Sequence, residues 1–235
     1  MKITGVKYQY PAYMKFFYDD IYGTDNNYKH HDNIILCYFR TLFQYGRLIK
    51  ELNSEISSGK DVCQIGAVLG NQIQKTAATI GSLGVYDIID ISPIALQQVK
   101  KKLNRRYPQI NFIKEDAAFT KVKAVRDVVI CFMLLSMVPP FHRKRIINNA
   151  LGMLKPGGKA IFIDWHKPKR WNLLAWPLKL YNRLYNPFVE DLQKNTIKFL
   201  SENQNVKGYI WKQKSFFGGL FQKTIVVRRK RSENI

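Results

Sequence analysis

From residue 58 onward the sequence alternates short apolar runs with longer amphipathic ones, and this rhythm constrains the fold more than any other feature. Apolar runs bounded by glycine or proline read as buried strands, and apolar residues spaced three and four apart read as helices. Strands are expected at residues 61–67, 84–92, 110–118, 126–138 and 159–166, and helices at 71–81, 93–107 and 139–154. Gly81 ends the first helix, Pro93 suits the first turn of the second, and KPGG at 155–158 stops the third. This alternation predicts an α/β architecture around a mostly parallel sheet. The stretch RDVVICFMLLSMV at 126–138 is apolar almost throughout, as suits a central strand covered on both faces. The overlapping apolar run at 128–141 is too short for a membrane span. Residues 209–230 read as two more strands folded about Gly218-Gly219, a C-terminal hairpin.

The first 57 residues do not share this rhythm. Ile35, Phe39, Leu42, Phe43, Leu48 and Ile49 recur at near-helical spacing, and SSGK at 57–60 then breaks the pattern. The expected organisation is a helical extension at 1–57, either a lid or a membrane foot, followed by one domain at 58–235. With 46% apolar residues, a chain of 235 residues can bury a full core. Cys37, Cys63 and Cys131 are far apart and form no CxxC, which suits a reducing compartment. The N-terminal stretch lacks the unbroken apolar core of a signal peptide, so a cytoplasmic location is expected. Charge is the unusual property: the net is +21, and residues 128–235 hold 20 Lys/Arg against 5 Asp/Glu. Such a field implies an anionic partner, either nucleic acid or an anionic membrane surface.

The stretch VCQIGAVLG at 62–70 runs from a strand into a turn bearing Gly66 and Gly70. Glycines there let a ligand approach the backbone closely. Asp90 closes the second strand about 20 residues on, where a carboxylate can accept bonds from ribose hydroxyls, with Ile91 beside it. Asp116 and Ala117 follow the third strand and put a further acid at a strand end. Together with LKPGGKAIFID at 154–164, these features resemble the class I S-adenosylmethionine-dependent methyltransferase fold over residues 60–230. The resemblance implies a Rossmann-like sheet and S-adenosylmethionine as cofactor. Gln64 departs from it, because that place is usually acidic and faces the amino-acid end of the cofactor. A neutral amide favours the ammonium less, so a group with a reference pKa of about 7.7–8 is more easily held as a free, nucleophilic amine.

The second half carries a narrower resemblance. Asp164-Trp165-His166-Lys167-Pro168, Pro187-Phe188 and the hairpin from Phe216 to Lys223 are similar to segments of the rhodoquinone-biosynthesis (RquA-like) family. That resemblance implies replacement of a methoxy group on ubiquinone by an amino group, with S-adenosylmethionine as amino donor and a divalent metal such as Mn assisting. Asp164 and His166 are two apart at a strand end and so are expected to point the same way, as metal ligands or with His166 as proton shuttle. Ser136-Met137 departs from the family, where histidine is followed by histidine or glutamate. His30-His31-Asp32 is a further candidate ligand cluster, although a solvated helix start is the plainer reading.

Residues 171–188 interleave Trp171, Leu173, Leu174, Trp176, Leu180 and Tyr181 with Lys179 and Arg183, the composition of a segment lying in a bilayer interface. A ubiquinone-like lipid resides in the bilayer, so a peripheral position on the cytoplasmic membrane face is expected, with no specific nucleic acid. Two alternatives remain: methyl transfer to a quinone or lipid head group, and a non-catalytic nucleic-acid-binding module on the same fold.

Overall fold

The computed structural model describes residues 24–103, 106–120, 125–174, 177–178, 180, 188–201 and 208–230. It opens with three short helices, α1 (Asp25–His31), α2 (Ile34–Arg40) and α3 (Tyr45–Asn53). Thr24 and Asn33 cap the first two by accepting from the amides of Asn27 and Ile35. Between α2 and α3 the backbone of Leu42 and Phe43 is left-handed, with φ of 50° and 61°. That conformation costs roughly 1–2 kcal/mol for a residue with a Cβ. Bonds from Phe43 N to Tyr38 O (2.7 Å) and from Leu42 N to Phe39 O (3.0 Å) hold it.

The expected alternation follows: β1 (Asp61–Ile65), α4 (Gln72–Ile80), β2 (Val85–Asp90), α5 (Pro93–Leu103), β3 (Ile110–Lys114), β4 (Arg126–Phe132), α6 (Pro140–Gly152) and β5 (Leu154–Trp165). Two short helices, α7 (Val189–Lys194) and α8 (Ile197–Leu200), precede β6 (Tyr209–Phe216) and β7 (Phe221–Arg228). The strands form one sheet in the order β3-β2-β1-β4-β5-β7-β6. The first five are parallel, and β7 runs antiparallel between β5 and β6. The mostly parallel sheet and terminal hairpin match the expectation.

Two boundaries differ for local reasons. β4 stops six residues short of the expected end, because Met133 takes φ of 51° and its amide bonds Ile163 O; a 3-10 turn at Leu135–Met137 follows. β5 begins inside KPGG: Leu154 pairs with Arg126, and the register shifts before Lys159 pairs with Val128. A Cβ at Gly158 would lie 2.9 Å from Arg126 O, so the shifted register requires glycine.

The sheet is covered on both faces. One face packs Val62, Tyr86, Ile88 and Ile130 against Tyr28, Tyr45, Leu48 and Leu52 of the N-terminal helices, so extension and sheet share one core. The other packs Cys63, Ile65, Val129 and Phe162 against Ile147 and Leu151 of α6. Lys223 on β7 is buried and bonds Glu51 and Glu55 at 2.8 Å each, which anchors the end of α3 to the sheet. Among the described residues no helix is long and apolar enough to cross a membrane. The apolar run expected as a buried strand forms β4 and the turn after it.

Candidate functional site

The carboxyl ends of β1, β2 and β3 meet in an open pocket. Its walls are Ile65, Gly66, Ile89, Asp90, Ile91, Glu115, Asp116, Ala117, Leu134, Met137, Val138 and Ile146. Gly66, Asp90, Ile91, Asp116 and Ala117 thus come together as the spacing predicts. Gly66 turns the chain with φ of 96°, its amide bonded to Ile89 O at 2.8 Å. Asp90 is held on both sides: Oδ2 accepts from Ala67 N at 2.6 Å, and Oδ1 from Ser92 N at 2.7 Å. A carboxylate has about four lone-pair positions, so each oxygen keeps one for a ligand. Burial pushes the Asp90 carboxyl up to about 6; the two amides oppose the shift and the neighbouring Asp116 reinforces it. Asp116 Oδ1 accepts from Ala118 N at 2.9 Å. Arg145 Nε and Asn149 Nδ2 donate to the carbonyls of Ala118 and Ala117, fixing that loop from α6.

Gln64 lies behind the loop rather than in the pocket wall, and it is fully buried. Its Nε2 donates to Gly66 O (3.0 Å) and to Gln72 Oε1 (2.8 Å). Its Oε1 accepts from Gln72 Nε2 (3.0 Å) and from the Tyr86 hydroxyl. These four bonds fill the capacity of a primary amide. Gln72 Nε2 also donates to Thr76, and Thr76 to Asn53 at 2.8 Å, so the network reaches α3. Burial holds the Tyr86 phenol well above its usual pKa, and it remains a donor. The Tyr45 hydroxyl takes the Gln72 amide (3.1 Å) and donates to Leu69 O (2.9 Å).

Gly70 sits at the far end of the loop with φ of 82°. Its amide donates to Asp32 at 2.6 Å, and its carbonyl accepts from Lys102, which also pairs with Asp32 at 2.6 Å. The His30-His31-Asp32 stretch is therefore not simply solvated: Asp32 caps the glycine loop. His31 Nδ1 meets the Arg40 guanidinium at 2.5 Å. Sequence reading singled out Asp32 only as a possible metal ligand and missed Lys102 and Tyr45; Asp32 and Lys102 reach Gly70 from 38 and 32 residues away in sequence, and Tyr45 acts from the core. It also missed Leu134 and Val138 as pocket walls and marked Met137 only as a departure from the family pattern, because the turn that carries them sits where a strand was expected.

Asp164 and His166 do not form the expected ligand pair. Asp164 is buried, and its oxygens accept from Ser136 N (3.2 Å) and Trp165 N (2.8 Å), which ties the end of β5 to the 3-10 turn behind the pocket. Burial pushes its carboxyl up, while these amides and Arg143 oppose the shift. His166 lies one residue beyond β5, and its Nδ1 meets Gly219 O at 3.0 Å. A carbonyl only accepts, so Nδ1 carries the proton and Nε2 is left to take one. Among the described residues no group of three or more His, Cys, Asp or Glu side chains is placed to hold a metal. Asp164 is closed off from solvent, and among the described residues no third such side chain joins it and His166, so the donor set does not fit a divalent ion. Ser136-Met137 divides its roles: the Ser136 amide serves Asp164, and Met137 lines the pocket. Arg143 is fully buried; it donates to Leu135 O, Val138 O and Phe188 O and pairs with Asp191 at 2.5 Å, fastening the turn to α7.

Residues 62–158 match the family model described as a methyltransferase domain. A tRNA N(3)-methylcytidine methyltransferase of Schizosaccharomyces pombe is 30% identical over 109 residues, 44% of each chain. A ubiquinone biosynthesis O-methyltransferase of Coxiella burnetii is 26% identical over 119 residues, 48% of this chain and 47% of that one. The chain thus spans about half the length of the curated relatives it matches. In three dimensions it is similar to the N-methyltransferase NodS of Bradyrhizobium japonicum in complex with S-adenosyl-L-homocysteine, with a TM-score of 0.58 at 13% identity over 93% of this chain and 99% of that chain. Sequence and shape agree: the chain carries a methyltransferase domain match at 62–158 within a Rossmann-like class I methyltransferase fold.

Proposed function

We propose that this chain is an S-adenosylmethionine-dependent transferase acting on a ubiquinone-like lipid at an anionic membrane surface. The observation that carries the cofactor is Asp90, aimed by two backbone amides beside Gly66 and keeping a lone pair on each oxygen. Ile91 and Ala117 would flank the adenine and Asp116 its amino group. Within that reading, amino transfer is the reaction we favour. A methoxy-bearing quinone carbon is electrophilic because the conjugated carbonyl takes up charge: the amine nitrogen would bond there as methoxide leaves with the amine proton as methanol. The quinone ring would then take the electron pair of the donor's Cα–H bond, and water would hydrolyse the resulting Cα=N bond to free an aminoquinol and a 2-oxo acid. Gln64 and Gln72 beneath the loop are neutral and spend their amides on each other, Gly66 O and Tyr86, so position 64 presents no carboxylate to the cofactor's amine. His166 Nε2 is a candidate acceptor for the amine proton. The exposed Trp171 and Leu173 suit a lipid surface; residues 175–176, 179 and 181–187 of that segment lie outside the described residues. Methyl transfer is the second reading, favoured by the similarity to the ubiquinone biosynthesis O-methyltransferase.

The test is mass spectrometry of products after incubating the chain with ubiquinone and S-adenosylmethionine carrying heavy nitrogen on the α-amine and heavy carbon on the methyl. Heavy nitrogen in an aminoquinone is the expected result. Heavy carbon in the quinone selects methyl transfer instead, and transfer of neither label refutes both.

A further inference from the structure

Helix α2 has two unlike sides. Cys37 is buried and would lie 3.0 Å from a Cβ added at Gly70, so one side faces the glycine loop. The other side is apolar and open to solvent. Ile35, Phe39 and Phe43 follow one another at intervals of four and are 58–64% exposed, with Ile34 beside them at 41%. The rings of Phe39 and Phe43 meet at 5.1 Å. The left-handed backbone at Leu42 and Phe43 continues this stripe past the end of the helix. Such strain is kept where the surroundings give it a use. The stripe does not line the pocket, so it does not serve as the inner face of a lid. Its charge has a single sign: residues 33–50 contain Arg40, Arg47 and Lys50 and no acid. Large apolar and aromatic side chains accompanied by these cations, with the bordering acids Asp32 and Glu51 paired to Lys102 and Lys223, match the boundary of an anionic bilayer, where rings enter the acyl region and cations meet head groups.

We propose that the Ile35–Phe39–Phe43 stripe is a membrane-inserting foot that docks this chain on anionic lipid. The proposal rests on the membrane reading above and gives it a second contact, separate from residues 171–188. It also places the bilayer one helix away from the glycine loop, because α3 follows at once and its Tyr45 bonds that loop on both sides.

The experiment is sedimentation of the full chain with vesicles of phosphatidylcholine, with and without phosphatidylglycerol, for the wild type, F39S/F43S and W171S/L173S. The wild type should bind the anionic vesicles, more weakly as salt rises. F39S/F43S should weaken that binding by roughly tenfold or more with an unchanged melting temperature, since the altered side chains are solvent-exposed. If the wild type ignores vesicles, the membrane reading itself fails. If F39S/F43S binds as well as the wild type while W171S/L173S does not, this foot is refuted and the membrane reading stands. Preference of the wild type for an unrelated RNA duplex over the vesicles, or dimerisation that F39S/F43S abolishes, would also overturn the proposal.

Discussion

Changing Gln64 to glutamate replaces one buried atom and removes two donors. A carboxylate at 64 still accepts from Gln72 Nε2 and Tyr86, but it faces Gly66 O and Gln72 Oε1, which the amide had served at 3.0 and 2.8 Å. Rotating Gln72 to compensate would break its bond to Thr76, itself bonded to Asn53, so the mismatch spreads toward α3. Two buried groups left without partners cost about 1–3 kcal/mol each, so Gln64→Glu should lose on the order of 3–5 kcal/mol. Burial raises the carboxyl above its unfolded value near 4.3. The loss should therefore be smallest below that value and grow as pH rises, by up to about 1.4 kcal/mol per pH unit, until the folded-state carboxyl ionises. Urea unfolding of wild type and variant across pH gives the comparison. Ligand binding adds a second reading: a carboxylate facing the ligand would tighten S-adenosylmethionine relative to methylthioadenosine, which has no amine, whereas one beneath the loop leaves that ratio unchanged. A variant as stable as the wild type at neutral pH, with the ratio shifted toward S-adenosylmethionine, would refute the saturated network and put Gln64 at the ligand.

Three further outcomes follow from the pocket. Gly70→Ala places a Cβ 2.9 Å from Tyr45 Cζ at a φ of 82°, so thermal melts should show a loss of about 1–3 kcal/mol, with weaker S-adenosylhomocysteine binding by calorimetry. Ribose hydroxyls need an ionised acceptor, so S-adenosylhomocysteine affinity should strengthen as pH rises through about 6 and level off above it; Asp90→Asn should remove that dependence. Asp164→Ala strips the acceptor from two buried-end amides and should cost about 2–4 kcal/mol in denaturant titrations, while His166→Ala should cost under about 1 kcal/mol and act on turnover instead. Metal titration of the His166 variant and the wild type should give the same null isotherm at this pair.

The parts of the site that lie on single strand ends were readable from the sequence. Gly66, Asp90, Ile91, Asp116 and Ala117 sit where strand spacing alone puts them, and parallel pairing then brings their ends together. Side-chain direction was not readable. Gln64 alternates toward the covered face of β1, and only the distant Gln72 and Tyr86 reveal that its amide is already spent. Asp164 and His166 look like neighbours on one strand, but β5 ends between them and each is claimed by a backbone group from another segment. The run 126–138 concealed a turn because its apolar residues are buried in either conformation, and Met133 gives no warning of a positive φ. Lys102 carried no local signal and Asp32 stood out only within a His-His-Asp cluster, since what joins the two is the approach of α1 to α5.

The double grip on Gly70 has a thermodynamic consequence. With its amide held by Asp32, its carbonyl by Lys102 and the adjoining turn by Tyr45, the loop has little freedom left to surrender when a ligand arrives. The entropic cost of ordering the site has already been met in folding. Ligands that reach only the strand-end half should then bind nearly as rigidly as whole ones, and loosening any of the three clasps should appear first as a faster ligand off-rate rather than as a slower encounter.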